Sequence, residues 1–424
     1  MTILLFIVYV LLIIVLFKTL PFFKYSGINF KWLTIIFIAK LMAGFAYAFI
    51  HQYFYVDADA LAYVNRGKIL HSYYYENRAM FFKLCFGPNG YAPSAYLKTY
   101  VQPLSFWHDT SAFTLVRINA LLSFVGFGNY YLHLIFWQFF GLCGLTALYK
   151  AFVYFFEDKK NLLLAGIFLA PSVVFWYSGI HKEAISICGI GFITLFVVKC
   201  HQRRFSFVLL FITLISITLL AFVRLYLFAI IIPTAIALYL SLNNKKVFAK
   251  YAFVYGLCAI ALAILVFIKP SLNPINEFIA TQQYFEKIGA GNAEMKIPKL
   301  EPSIWSLVKN SPTAFFSTLL RPSLVDVSAH NTVIKIFAGI ETLLISLLLI
   351  ASLFWGKWQL YFKHPIVVYV LCIVIFYYIL LGLTIPNLGA LCRYKSMVLP
   401  LLIPVLLLVL NFKKFPFTSL RNKW

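Results

Sequence analysis

The chain has 424 residues, of which 62% are hydrophobic and only 12% are charged, and its mean hydropathy is +0.89. Since roughly a quarter of the residues in a soluble globular domain are charged, this composition excludes a water-soluble enzyme. The net charge of +23 comes without a soluble basic domain. We therefore attribute it to loops held in the cytoplasm, and we expect no nucleic-acid partner.

Apolar segments close to the ~20 residues that cross a bilayer recur along the chain. They predict an all-α polytopic membrane protein, a single integral-membrane domain over residues 1–424 with about 11 transmembrane helices. The predicted spans are 2–18, 33–50, 130–155, 162–179, 184–199, 206–222, 225–242, 251–268, 333–354, 366–384 and 398–411.

Basic pairs mark the short connectors between these spans, and the two longest connectors, 51–129 and 269–332, contain most of the acidic residues. The pairs are Lys159-Lys160, Arg203-Arg204, Lys245-Lys246 and Lys413-Lys414. Because basic loops stay in the cytoplasm, we expect the N-terminus outside, the C-terminus inside and both long loops on the outer side. The seven cysteines are odd in number and mostly lie inside spans, which argues against a disulfide framework or a thiolate metal site.

The first long loop opens with two aspartates, Asp57 and Asp59, in a chain with only 13 acidic residues. Such a pair can bind a divalent cation, Mg²⁺ or Mn²⁺, or take a proton from a hydroxyl group. The alternative is that one carboxylate caps a helix that begins here, with Tyr63 one turn further on. Later in the same loop, Ser111–Phe127 is apolar and aromatic and predicts an interfacial helix.

The fourth predicted span ends in a charged triplet, His181-Lys182-Glu183, after Trp176-Tyr177 and Ser178-Gly179. The aromatic pair is typical of the membrane interface, and Pro171 can break the span. A turn held in this way would present Lys182 and Glu183 at a fixed depth. The simpler interpretation is a solvated turn with a weak Lys–Glu pair.

Several cations lie at predicted outer span ends, against the positive-inside trend: Arg224, Arg321, Arg393 and Lys395. They can bind a phosphate group, for which a guanidinium is well suited, or they can reach lipid headgroups. Glu341, about two turns into the ninth span, is expected to pair with one of them or to stay protonated. No phosphate-binding glycine loop, dinucleotide motif or Ser/His/Asp order is present.

Three groups of residues resemble the GT-C superfamily of integral-membrane glycosyltransferases, in particular the bacterial enzymes that use polyprenyl-phosphate sugars. The groups are Asp57 and Asp59 with Tyr63, then Pro171 through Trp176 to Lys182-Glu183, and Gly389 through Arg393-Tyr394 before a late Leu/Pro-rich span. The acids follow the second span here, whereas in the family they usually follow the first.

The resemblance implies a multi-pass protein of the bacterial cytoplasmic membrane that serves polysaccharide biosynthesis in the cell envelope. It would transfer a sugar from a polyprenyl-phosphate donor to a glycan, lipid or protein acceptor, outside the cytoplasm and among membrane lipids. Asp57 or Asp59 would be the general base, or both would be metal ligands. Donor phosphate would be bound by Lys182, Arg224, Arg321, Arg393 and Lys395, with Tyr63, His181, Glu183 and Tyr394 in support.

Two other functions remain open. An O-antigen-type polysaccharide polymerase or ligase would use outward arginines and a histidine and would not need the aspartate pair. A transporter or flippase for lipid-linked sugars would show broken helices with polar groups at the membrane midplane, often in repeated halves. The sequence contains no detectable repeat.

Overall fold

The computed structural model describes residues 2–53, 59–90, 94–204, 206–243, 246–288, 295–323, 325–326 and 333–412. These residues are almost entirely helical and contain no β-strand, only an isolated β-bridge between Gly356 and Leu410. The predicted all-α membrane class is therefore confirmed. Asp57, one of the two predicted catalytic acids, lies outside the described residues.

The chain divides into two compact units, Met1–Phe155 with Val173–Phe228 (unit 1) and Phe156–Ser172 with Ala229–Trp424 (unit 2). In chain order the helices are α1 Thr2–Thr19, α2 Pro21–Lys24, α3 Phe30–Tyr53, α4 Asp59–Glu76, α5 Arg78–Phe86, α6 Ala95–Val101, α7 Thr110–Gly126, α8 Tyr130–Phe155, α9 Lys160–Phe168, α10 Pro171–Trp176, α11 Lys182–His201, α12 Phe207–Val223, α13 Leu225–Ser241, α14 Val247–Ile268, α15 Pro274–Ile288, α16 Ile304–Leu320, α17 Val333–Trp355, α18 Trp358–Tyr361, α19 Pro365–Thr384, α20 Leu388–Lys395 and α21 Leu399–Val409.

Eight helical segments of the described chain are long and apolar enough to cross a bilayer. They are α1, α3, α8, α11, α14, most of α17, α19 and the continuous segment Leu388–Val409 formed by α20 and α21. Helices α12 and α13 coincide with two further predicted spans but have only 17 residues each. The count of eleven spans and the sidedness of the termini stay predictions.

The predicted span 162–179 is not one continuous helix. Helix α9 ends at Phe168, α10 runs only from Pro171 to Trp176, and α11 begins at Lys182. Pro171 has no backbone N–H to continue the α9 ladder and disfavours helical geometry in the residue before it. The chain therefore reaches α11 through a short helix and a non-helical turn.

The segment predicted as the first long loop is folded into helices α4 to α7. The predicted helix at Ser111–Phe127 corresponds to α7, which ends where Phe127 takes a left-handed conformation (φ 51°). Helix α4 packs closely on α7: a Cβ atom at Gly67 would lie only 2.7 Å from the Cβ atom of Asn119, so the absence of a side chain at Gly67 permits the contact. Asn119 Oδ1 in turn lies 2.8 Å from His133 Nδ1 and accepts a hydrogen bond from Trp137 Nε1 at 3.2 Å, which joins α7 to α8.

Two glycines permit the close contact between α8 and α11 at the centre of unit 1. A Cβ atom at Gly191 would lie 2.1 Å from the carbonyl oxygen of Gly144, and a Cβ atom at Gly144 would lie 2.6 Å from Cys188 N. Small residues let transmembrane helices bring their backbones together, and van der Waals packing is the main source of their association in lipid. This contact holds α11, which begins at the charged triplet, against α8.

Candidate functional site

A buried ion pair in unit 1 joins the start of α11 to the end of α12. Arg224 Nη2 lies 3.3 Å from Glu183 Oε1, and the side chains are 6% and 0% exposed. Arg224 is the C-cap residue of α12, and its Nη1 donates a hydrogen bond to the Tyr226 hydroxyl. Glu183, in the first turn of α11, also benefits from the positive end of the helix dipole. The pair thus fixes the guanidinium beside the α11 N-terminus.

A second, more open pair lies next to it along the chain. Lys182 Nζ is 4.0 Å from Asp109 Oδ2, with the two side chains 16% and 55% exposed. Asp109 is the N-cap of α7 and accepts a hydrogen bond from Ala112 N at 3.0 Å. Beside it, Ser111 Oγ donates to Val223 O at 2.6 Å, so that α7 is tied to the last residue of α12. Three helix ends therefore meet around four charged side chains.

Ser178 anchors the non-helical turn that leads into α11. Its carbonyl oxygen accepts a hydrogen bond from Gln138 Nε2, and its hydroxyl accepts one from Lys40 Nζ at 3.3 Å. The hydroxyl itself donates to Val174 O. Irregular backbone inside a membrane protein needs such internal partners, because lipid offers none. The turn is held by side chains of α3 and α8.

Two glycines let the turn and α3 come together. A Cβ atom at Gly44 would lie 2.7 Å from Ser178 O, so α3 can approach the turn closely only with glycine at that position. A Cβ atom at Gly179 would lie 2.6 Å from the His181 ring and 3.1 Å from the Tyr47 ring. The glycine of the Ser178-Gly179 pair is therefore required by packing.

The predicted supporting residues His181 and Tyr63 are both buried. His181 is the N-cap residue of α11, is 1% exposed, and packs edge-on against Tyr47 with the ring centroids 4.7 Å apart. Tyr63 is 2% exposed and packs against Phe106 with the centroids 5.0 Å apart. Both rings contribute to packing within unit 1.

Asp59 begins α4 and is exposed to solvent. Among the residues that the structure describes it forms no ion pair, and no group of three or more His, Cys, Asp or Glu side chains could hold a metal ion. A single described carboxylate does not make a cation site. The Asp57–Asp59 cation site stays a prediction.

The remaining predicted cations belong to unit 2. Lys395 is 4% exposed, and its ammonium donates to Arg321 O and to Thr342 Oγ1, each at 2.7 Å. Arg321 Nε lies 3.9 Å from Asp326 Oδ1, with both side chains partly exposed. Two of the three N–H donors of Lys395 are thus used within unit 2, where the side chain joins the end of α16 to α17.

Arg393 and Tyr394 occupy the last turn of α20 in unit 2. Arg393 is half-buried, and its carbonyl oxygen accepts a hydrogen bond from Ser396 Oγ at 2.6 Å. The carbonyl oxygen of Tyr394 accepts one from Tyr377 Oη at 3.2 Å.

Glu341 is 5% exposed and accepts hydrogen bonds from both the backbone N–H (2.8 Å) and the hydroxyl of Ser172. Its neighbour Thr342 carries the hydroxyl that accepts from Lys395. The carboxyl group is therefore hydrogen-bonded at the beginning of α10, an arrangement that the sequence did not indicate.

Sequence reasoning missed three functional candidates: Asp109, Lys40 and Gln138. The signal for Lys40 was present, since a lysine in the middle of an apolar span is expensive unless it has a purpose. Gln138 carried the same signal more weakly. Asp109 could be recognised only through its neighbour, because nothing in the sequence shows that α7 begins beside α11.

Comparison with protein-family models, with curated proteins and with solved structures finds no match to this chain. The candidate site consists of the buried Arg224 guanidinium paired with Glu183, the half-buried Lys182 ammonium at the start of α11, and the exposed Asp109 carboxylate 4.0 Å from that ammonium. Such an arrangement can bind an anionic group and can accept a proton from a neighbouring hydroxyl.

Proposed function

We propose that this protein is a GT-C-type membrane glycosyltransferase that takes a sugar from a polyprenyl-phosphate donor. The acceptor would be a glycan, a lipid or a protein on the extracytoplasmic side of a bacterial cytoplasmic membrane. The observation that carries the proposal is the cation set of unit 1, with Lys182 at the start of α11 beside the buried Arg224–Glu183 pair. The family resemblance in the sequence supports the same assignment.

The cation set suits a phosphate leaving group. When the bond from the sugar to the carrier phosphate breaks, negative charge grows on the departing phosphate oxygen. Lys182 and the N-terminus of α11 would stabilise that charge, as helix N-termini do for phosphates in general. Arg224 is neutralised by Glu183 and bound to Tyr226, so its role would be to fix the start of α11, where Lys182 lies.

A carboxylate would complete the reaction by accepting the proton of the acceptor hydroxyl. The hydroxyl oxygen forms the new glycosidic bond as the sugar–phosphate bond breaks, and polyprenyl phosphate leaves with the bonding electrons. Such a single displacement inverts the anomeric carbon and passes through an oxocarbenium-like transition state. Asp59 and Asp57 remain the candidates from the sequence, and Asp109 becomes a third because it lies beside Lys182.

The test is carbohydrate transfer by the purified full-length protein in liposomes. A panel of polyprenyl-phosphate sugars would be supplied with bacterial envelope acceptors, and free polyprenyl phosphate and glycosylated product would be measured. We expect Lys182→Ala to reduce turnover at least 10-fold, with the exposed Lys98→Ala as the matched control. Asp59→Asn and Asp109→Asn would show which described carboxylate is the base. Consumption of no donor in the panel, or full activity of Lys182→Ala, would contradict the proposal.

A transporter is the second candidate, and one observation favours it. Helical structure is interrupted between α9 and α11. The polar side chains of Lys40 in α3 and Gln138 in α8 bind the turn at Ser178 from within apolar spans. Discontinuous helices of this kind line substrate sites in secondary transporters. Movement of a labelled lipid-linked sugar across the liposome bilayer without any glycosidic product would support this function and exclude the first.

A further inference from the structure

Helix α16 lies in the segment predicted as the second outer loop, yet it packs along the apolar span α19. Thr318 Oγ1 donates a hydrogen bond to Tyr378 O at 2.8 Å, and a Cβ atom at Gly382 would lie 2.1 Å from Ala314 O. The residue numbers rise along α16 as they fall along α19, so the two helices are antiparallel. Their backbones are in contact over at least one helical turn within unit 2.

The depth of this contact follows from the geometry of α19. With 20 residues and a mean hydropathy of 2.8, α19 is long enough to cross the hydrocarbon core. Tyr378 comes six residues before the last residue, Thr384, so at 1.5 Å per residue it lies about 9 Å inside that end of the helix. Thr318 therefore lies at about the same depth, and Leu320 lies deeper.

A second contact gives the same depth independently. The carbonyl oxygen of Arg321, which follows α16, accepts a hydrogen bond from Lys395 Nζ. Lys395 comes seven residues after Leu388, the first residue of the apolar span Leu388–Val409, which places it about 10 Å into that span at the helical rise. Both contacts put the C-terminal end of α16 below the membrane surface.

The exposed side chains of α16 that lie at this depth are apolar. Five large apolar side chains on one face of the helix are exposed: Ile304 73%, Trp305 73%, Val308 55%, Phe316 56% and Leu320 47%. Lys309 is on the same face, but it comes five residues before Ala314 and so lies beyond the Thr384 end of α19. Ile304, Trp305 and Val308 precede Lys309 and so lie beyond that end as well, which leaves Phe316 and Leu320 as the large exposed apolar side chains at the depth of the span.

The C-terminal end of α16 also has a hydrogen-bond partner. The last carbonyl groups of a helix lack partners within the helix, and in lipid an unsatisfied carbonyl is costly. Lys395 donates to the Arg321 carbonyl and brings a positive charge to the negative end of the helix dipole. A helix end inside the membrane needs such a partner.

We propose that the C-terminal part of α16 enters the bilayer from the side on which α19 ends at Thr384, with the exposed side chains of Phe316 and Leu320 covered by lipid acyl chains. Lipid is the occupant because these two apolar side chains are exposed and lie at the level of the α19 span. The inference does not depend on the proposed transferase activity.

The test measures what surrounds a nitroxide spin label on this face, in the full-length protein reconstituted in phosphatidylcholine liposomes. Labels at Phe316→Cys and Leu320→Cys would be compared with one at Lys309→Cys, and the wild-type signal from the seven native cysteines would be subtracted. At positions 316 and 320 we expect molecular oxygen to relax the label more strongly than a water-soluble nickel chelate. At position 309 we expect the nickel chelate to dominate.

Two results would overturn the inference. Strong relaxation by the nickel chelate at both 316 and 320 would place the face in water. Weak relaxation by both reagents at these positions would mean that protein, such as a second copy of the chain, covers the face instead of lipid. Two deep positions are used so that a single variant that fails to fold does not decide the outcome.

Discussion

Arg224 and Glu183 come from different helices of unit 1, 41 positions apart, and their side chains form an ion pair that is almost completely buried. The guanidinium ends α12 while the carboxylate begins α11, so the pair brings together the end of one helix and the start of another. Arg224 is thereby held beside Lys182, the more accessible cation of the site.

Removal of one member of this pair is expected to destabilise the protein strongly. Arg224→Ala leaves the buried Glu183 without the cation of this ion pair, a change that typically costs about 3–5 kcal/mol. The double variant Arg224→Met with Glu183→Leu should lose clearly less stability than the sum of the losses in Arg224→Met alone and Glu183→Leu alone. Thermal unfolding of purified protein in detergent measures these differences. The exposed Arg203→Ala is the control, and additive losses in the double variant would argue against the pair.

Lys182 should matter for activity more than for stability. Its contact with Asp109 is long, at 4.0 Å, and Asp109 is half exposed, so the pair contributes about 1 kcal/mol at most to folding. Lys182→Ala is therefore expected to keep the unfolding temperature within a few degrees while transfer activity falls. A large loss of stability with unchanged turnover per folded molecule would assign Lys182 a structural role.

Lys40→Met is expected to leave stability unchanged or to raise it. Among the described residues Lys40 forms no ion pair with an acid, and its ammonium has a hydrogen bond to Ser178 inside the bundle. An isosteric apolar side chain removes the desolvation cost of that charge. Lys31→Met, at the exposed start of α3, is the control. A loss above about 2 kcal/mol would show that the Ser178 contact outweighs the desolvation cost.

The α8–α11 contact should tolerate no additional carbon atom. Gly191→Ala would place a methyl group 2.1 Å from Gly144 O, so the helices must separate, at a cost of about 1–3 kcal/mol. Gly256→Ala in α14 has no atom within 4 Å of the new methyl group and should be neutral or slightly stabilising. Equal unfolding temperatures for the two variants would contradict the close backbone contact.

Local chemistry predicted several elements because the determining residues are neighbours in the chain. The apolar runs predicted the long spans, and the apolar segment at Ser111–Phe127 predicted α7 to within a residue. Pro171 likewise marked the point where a span could break, although a single span over 162–179 was expected. The spacing Asp57–Asp59 suggested a site, but the sequence could not say which cations lie near it.

The sequence by itself determined that this is a helical membrane protein, since apolar length and charge density are sums over local residues. Only the tertiary structure decided that Glu183 neutralises Arg224, that Asp109 faces Lys182 and that Lys40 holds the turn at Ser178. These pairs depend on how helices far apart in the chain pack. Glycines at positions 44, 144 and 191 permit close backbone contacts in that packing, and Gly179 leaves room for the His181 and Tyr47 rings, which the periodicity of the sequence does not reveal. The same holds for α16, whose depth follows from hydrogen bonds to Tyr378 and Lys395 and not from its own composition.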